Sequence, residues 1–220
     1  MGSTRNKLEK FEYIRQSPLV LEWKKDQFET IKGNWANFFK NNNPITVELG
    51  CGRGEYTVGL ARVFPERNHI GVDIKGNRIW KGTKTATDEG LTNVAFLRTQ
   101  ILLIDKFFEA GEVDEIWITF PDPRPKESDI KRRLMSPRFL RLYEKFPRKG
   151  GVLHLKTDNE PLFDYAMEVF TEEKKEILIS TKDLYSHPDL LEDHHGIQTA
   201  FETKFLAEGI KIKYLRVVLN

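Results

Sequence analysis

ITVELGCGRGEYTVG, residues 45–59, decides how the rest of the chain is read. A short apolar run closes on an acid, Glu48. Glycines follow at alternate positions, Gly50, Gly52 and Gly54, and then a helix-forming segment, YTVGLARVF. A strand, a tight turn and a helix N-terminus are written this way when backbone must pass close to a nucleotide-like ligand. Glycine adopts positive φ there and lacks the Cβ that would strike the ligand. The acid at the strand end favours a ligand with a cationic or hydroxyl-rich part over a pyrophosphate.

A dinucleotide loop, G-x-G-x-x-G, would need its third glycine at position 55. Glu55 stands there instead, and its carboxylate would repel a pyrophosphate. The spacing G-x-G-x-G with Glu48 upstream is the pattern of Rossmann-like methyltransferases, so the expected cofactor is S-adenosylmethionine. A second short apolar stretch, NHIGVDI at 68–74, carries Asp73, 25 residues after Glu48. An acid at that strand end accepts ribose hydroxyls in nucleotide-binding βαβ units. It also stands where a helix cap would precede GNRIWKG, and the two roles are compatible.

The chain has 220 residues, enough for one domain with a modest appendage and a sizeable core. There is no apolar run of membrane-spanning length and no signal-peptide pattern. A single cysteine excludes an internal disulfide and fits a reducing cytoplasm, the expected location. Net charge is only +2 but unevenly placed. Residues 121–150 hold ten Lys and Arg against four Asp and Glu, while the other 190 carry 25 basic and 29 acidic side chains. One basic sector on a nearly neutral protein suits a polyanion at one face, although a solvated helix surface would read the same way.

Residues 1–43 read as a helical, aromatic-rich N-terminal arm, ended by Asn41-Asn42-Asn43-Pro44. Residues 44–220 read as a single domain. Strands are expected at 45–49, 69–73, 94–97, 115–119, 152–156, 176–180 and 211–219. Helices are expected at 56–64, 76–89, 101–108, 137–146 and 160–170. That alternation predicts an α/β, Rossmann-like fold, a mostly parallel seven-stranded sheet with helices on both faces.

Ligands of such sheets sit outside the carboxyl ends of the strands. Read in order, those ends give Glu48, Asp73, Gln100, Asp122 and Asp158. Gln100 suits an adenine or a plain loop equally, and Ile74 suits an adenine face or the core. The fourth end is the sharpest: Phe120-Pro121-Asp122-Pro123-Arg124-Pro125-Lys126, then Lys131-Arg132-Arg133. Two prolines fix the backbone around Asp122, and the basic run follows at once. The coupling points to a nucleic-acid substrate, with Lys131, Arg132 and Arg133 as phosphate contacts.

Together these motifs resemble the bacterial tRNA (guanine-N7)-methyltransferases, a class I family that modifies guanine 46 in the tRNA variable loop. The resemblance runs from about Pro44 to the C-terminus. It rests on Glu48 to Gly54, Phe120 to Arg133, Lys156-Thr157-Asp158, and Thr199-Ala200-Phe201-Glu202-Thr203-Lys204-Phe205. It implies a cytoplasmic enzyme acting on tRNA with S-adenosylmethionine, without a metal or a membrane, and leaves monomer or homodimer open. Carried over by position, Glu48, Gly50, Gly52, Gly54, Asp73, Gln100 and Asp122 belong to the cofactor side, with Asp122 also catalytic. Lys126, Asp158, Thr199 and Glu202 belong to the substrate side. Taken alone, Thr199 and Glu202 also match a helix capping box. The chain departs from the family at Arg124, where an aromatic is usual, at Ser128 and Asp129, where a basic pair is common, and at Gln100, where Asp or Asn is usual.

Guanine N7 has an in-plane lone pair and no proton, so methylation there requires alignment and charge stabilisation rather than a strong base. A cytosine-C5 mechanism needs a cysteine nucleophile, and the lone Cys51 lies inside the glycine loop. Amino-group methylation of a base is the nearer rival, lacking here its aromatic clamp after Pro123. A nicotinamide oxidoreductase is disfavoured by Glu55, and a non-catalytic RNA-binding module by the intact acids. His187, Asp189, Glu192, Asp193, His194 and His195 match no standard zinc spacing and read as an exposed polar loop.

Overall fold

The structure, a computed structural model, describes residues 2–192 and 194–220. The chain divides into two compact units, Met1–Glu109 and Ala110–Asn220. Among the described residues there are eight strands, four in each unit.

In the first unit β1 (Val20–Glu22), β2 (Ile45–Leu49), β3 (Asn68–Val72) and β4 (Val94–Arg98) lie in the order β1-β4-β3-β2, all parallel. Both β2 and β3 are buried along their whole length, which is why they read as continuous apolar runs. The helices are α1 (Gly2–Gln16), α2 (Asp26–Thr30), α3 (Trp35–Phe39), α4 (Glu55–Val63) and α5 (Gly76–Asp88). Segment 101–108, expected as an α-helix, is instead a tighter 3₁₀ turn over Ile101–Lys106. Residues 1–43 are not helical throughout, because β1 adds to the sheet beside β4. Three buried residues of little sequence periodicity do not announce a strand, and this is the element beyond the expected seven. The arm's aromatics are core: Trp35 donates from its indole N–H to the Phe107 carbonyl at 2.8 Å and stacks on Phe108.

In the second unit β5 (Val113–Thr119), β6 (Pro147–Thr157), β7 (Ile177–Thr181) and β8 (Lys213–Val218) lie in the order β5-β6-β8-β7. β5 and β6 are parallel, and β8 is antiparallel to both β6 and β7. β8 is thus the reversed strand of this unit, within the mostly parallel arrangement expected. β6 is longer than expected, with Pro147 at its first position, where a missing N–H costs no ladder bond. The helices are α6 (Pro137–Tyr143), α7 (Glu160–Glu172), α8 (Pro188–Glu192) and α9 (Ala200–Ala207). No helix among the described residues is long and apolar enough to cross a membrane.

Candidate functional site

The glycine loop is built by conformation and by two acids. Gly50, Gly52 and Gly54 all have positive φ, at 81°, 55° and 72°. The Gly50 and Cys51 amides donate to the Val72 carbonyl at 2.8 and 3.0 Å, tying the loop back to β3. Asp73 braces it from the next strand end, accepting from the Gly52 amide at 3.0 Å and from its own Lys75 amide at 2.7 Å. Glu48 is 2% exposed and accepts from both the amide and the hydroxyl of Thr57, which fixes the first turn of α4. Through these two bonds Glu48 holds the helix start, and Thr57 is a positioning residue the sequence reading missed.

The glycines divide by what a side chain would meet. A Cβ on Gly54 would lie 2.6 Å from the Phe96 ring, and one on Gly71 or Gly82 would also strike that ring, at 2.9 and 2.6 Å. Phe96 thus seats the loop, β3 and α5 around one buried aromatic. Gly71 inside a strand and Gly82 inside a helix were the available signals. A Cβ on Gly52 would meet nothing closer than the Gly50 carbonyl at 4.0 Å. At that position glycine answers to φ and to open space, the condition for close approach of a ligand. Cys51 is buried, and burial first, then the charges of Glu48 and Asp73, push its thiol well above the usual range. It is a packing residue and not a nucleophile. Ile74 is 52% exposed, so it is not a core residue, and Gln100 is exposed at the end of β4.

The loop after β5 is of another kind. Phe120 and Arg124 hold left-handed backbone, with φ of 48° and 45°, on either side of Pro121-Asp122-Pro123. Non-glycine residues take that conformation only at a cost, and such strain gathers at functional sites. The Phe120 amide is pinned to the Lys156 carbonyl at 2.8 Å. The Asp122 side chain is 69% exposed, accepts from the Arg124 amide at 3.2 Å, and lies 3.9 Å from the Arg124 guanidinium.

The basic run divides in two. Arg133 turns inward, donating to the Arg124 carbonyl at 3.1 Å with its guanidinium 4.5 Å from the Tyr165 ring centroid, so it braces the loop. Lys126, Lys131 and Arg132 are exposed, with Arg132 3.1 Å from Asp129.

Asp158, past β6, is half-buried, and among the described residues its carboxylate has no hydrogen-bond or ion partner. Thr199 caps α9, accepting from the Glu202 amide at 3.1 Å, so the helix start is realised, while the Glu202 carboxylate turns to Lys156 and Tyr185 instead of closing a capping box. Glu202 is fully buried, 2.6 Å from the Lys156 ammonium, and accepts from the Tyr185 hydroxyl at 3.0 Å. Burial, then the Glu202 charge, raises Tyr185 well above its usual range, so it stays a donor. Any part Glu202 has in substrate binding runs through these partners. Phe120, Phe205 and Phe201 form an aromatic ladder that ends at Phe201, 62% exposed. Of the histidine-rich segment, Asp193 lies outside the described residues. His194 is not in an exposed loop: it is buried, edge-on to Tyr214 at 4.5 Å, and desolvation foremost drops its pKa from 6.5 to about 3.

A family model described as "Putative methyltransferase" matches residues 42–215. The chain is 47% identical to a tRNA (guanine-N(7)-)-methyltransferase of Cytophaga hutchinsonii, over 96% of each chain. It is 48% identical to one of Christiangramia forsetii, over 98% of each. Among solved structures it is similar to the 16S rRNA methyltransferase KamB, at 17% identity and a TM-score of 0.63, covering 90% of this chain and 95% of that one. A 16S rRNA (adenine(1408)-N(1))-methyltransferase with cosubstrate SAM from Catenulisporales acidiphilia aligns at 15% identity and a TM-score of 0.56, covering 84% and 90%. The likeness to these structures carries the fold, which is α/β and Rossmann-like.

Proposed function

This chain belongs to the tRNA (guanine-N7)-methyltransferase family, and on that premise we propose that it methylates N7 of guanine 46 in the tRNA variable loop, in the cytoplasm. The observation that carries the reading is the turn from Phe120 to Arg124. Strained backbone holds an exposed carboxylate, Asp122, and three exposed cations follow it within ten residues.

S-adenosylmethionine, when bound, supplies an electrophilic methyl group on a sulfonium centre. The first unit fits that cofactor. Gly52 leaves open space beside loop amides, Asp73 would accept ribose hydroxyls while it braces the loop, and Ile74 and Gln100 would offer an apolar face and a hydrogen-bonding side chain for adenine. Glu48 contributes by fixing the helix start through Thr57.

In the second unit no residue needs to remove a proton, because N7 carries none. Asp122 and Asp158 instead orient the base by accepting from guanine N1–H and N2–H. They also stabilise the positive charge that grows on the ring as N7 is alkylated. Lys126, Lys131 and Arg132 hold the RNA backbone, while Arg133 keeps the turn in shape. With Arg124 where the family usually has an aromatic, Phe201 supplies a stacking face at this strand edge.

The test is methyl transfer from labelled S-adenosylmethionine to unmodified tRNA, followed by cleavage at N7-methylguanine. Label with cleavage in the variable loop is expected. Label that resists this cleavage would indicate amino-group methylation and overturn the reading.

A further inference from the structure

The first unit carries a second aromatic and cationic surface that the methyl-transfer reading does not use. β1 runs parallel to β4 with Glu22 opposite Arg98, so Trp23 and Lys24 emerge at the same strand edge as Asp73 and Gln100. Trp23 is 67% exposed, and the Lys24 ammonium sits 4.9 Å from its ring centroid. Lys24 holds left-handed backbone at φ 79°.

The backbone at the tip is anchored by Lys25, which is tied inward. Its ammonium donates to the carbonyls of Ile14, Ser17 and Val20 at 3.2, 2.7 and 2.6 Å, and burial lowers its pKa. Between this tip and α1 lies a groove of about 450 Å³, walled by Phe11, Trp23, Lys24 and Arg98, with the carboxylates of Glu12 and Glu22 also in its lining. Arg98 lies over the Phe11 ring and pairs with Glu22, and Arg15 pairs with Glu12. Among the described residues, Lys24 has no carboxylate partner, and Lys10 likewise sits over a ring, Trp80, at 4.5 Å. A lysine ammonium resting on a large exposed indole, without a carboxylate partner among the described residues, is the element that binds unpaired nucleotides, while the arginines beside it are already paired with Glu12 and Glu22. The ring stacks on a base and the ammonium meets a phosphate.

We propose that the Trp23–Lys24 groove is a docking site for an unstacked nucleotide of the tRNA substrate, separate from the guanine that is methylated. The inference rests on the proposed function in its choice of RNA. With the backbone beside it anchored through Lys25, Trp23 has less conformational freedom to lose on binding, which favours affinity.

The test compares wild type with Trp23→Ala, Trp23→Phe and Lys24→Ala, using unmodified tRNA at saturating S-adenosylmethionine. Trp23→Ala is expected to raise the KM for tRNA about tenfold, within the range for one base–aromatic stack, with kcat and cofactor affinity unchanged. Trp23→Phe should recover most of that loss. Wild-type tryptophan emission should be quenched by tRNA, and the quench should be much smaller in Trp23→Phe. Lys24→Ala should lower the salt slope of tRNA binding by about one phosphate contact. A wild type that methylates tRNA while Trp23→Ala keeps its KM would overturn this inference alone. A wild type that neither binds nor methylates any tRNA would overturn it together with the function it rests on. An unchanged KM with self-association lost in Trp23→Ala would overturn it in favour of a contact between copies of the chain.

Discussion

The glycine loop and the proline loop face similar demands with opposite constructions. In the first, Glu48 and Asp73 are buried or nearly so, each accepts from backbone amides, and three positive-φ positions are all glycine. In the second, the positive-φ positions are Phe120 and Arg124, and the acid between them is largely exposed. Under the proposed function, the first loop is a cofactor cradle formed in advance, and the second is a strained, charged surface that a polyanion completes when it arrives.

The largest expected effect probes how much of the second unit is also built in advance. Glu202→Ala would remove the carboxylate that faces the buried Lys156 ammonium, at a cost of about 3–5 kcal/mol. Thermal unfolding should show this as a large drop in Tm. A small drop would mean that the pair is not a structural anchor and that Glu202 is freer for substrate than its burial implies.

Asp122→Ala comes next and strikes the exposed acid. kcat should fall about a hundredfold to a thousandfold, the range for losing one electrostatic stabiliser, while cofactor affinity stays near wild type. Equal loss of both would remove the distinction between the two loops.

The glycine positions sharpen the comparison further. Gly54→Ala places a Cβ against Phe96 in left-handed backbone, so it should cost about 2–4 kcal/mol of stability. Gly52→Ala has room for its methyl and should cost only about 1–2 kcal/mol of stability, from φ alone. Its main effect should be weaker cofactor binding. Calorimetry beside thermal unfolding separates the two, and a Gly52→Ala variant with full cofactor affinity would contradict the reading of the open position.

Smallest at neutral pH, and growing only in acid, is the effect of His194. His194 has a pKa of about 3 folded against 6.5 in its ordinary state, so the unfolded chain binds the extra proton between those values. Stability is complete above about 6.5 and falls as pH drops toward 3, by at most about 1.4 kcal/mol per pH unit from this group. His194→Gln should flatten Tm against pH in that window. An unchanged slope would place the acid sensitivity elsewhere.

Much of this was legible in the sequence where one residue type has one physical use. Alternate glycines after an acid fixed the turn, and the strands beside it were placed within two residues because both faces are buried. What escaped depends on contacts distant in sequence. No local pattern reveals that Phe96 seats three glycines, that Thr57 engages Glu48, or that Arg133 turns back to the Arg124 carbonyl while Arg132 stays at the surface. β1 was missed because three residues carry too little periodicity. His194 was misplaced because its neighbours are polar, while the rings that bury it come from β5 and β8.

Hydrogen exchange on the free protein, then with S-adenosylmethionine, then with tRNA, tests the central contrast most directly. The amides of Gly50, Cys51, Gly52 and Thr57 should already be protected in the free chain, since each is bonded within the fold. The Arg124 amide, whose acceptor is the largely exposed Asp122 carboxylate and not buried backbone, should exchange readily until tRNA is added. A glycine loop unprotected without cofactor, or a proline loop fully protected without RNA, would contradict the account.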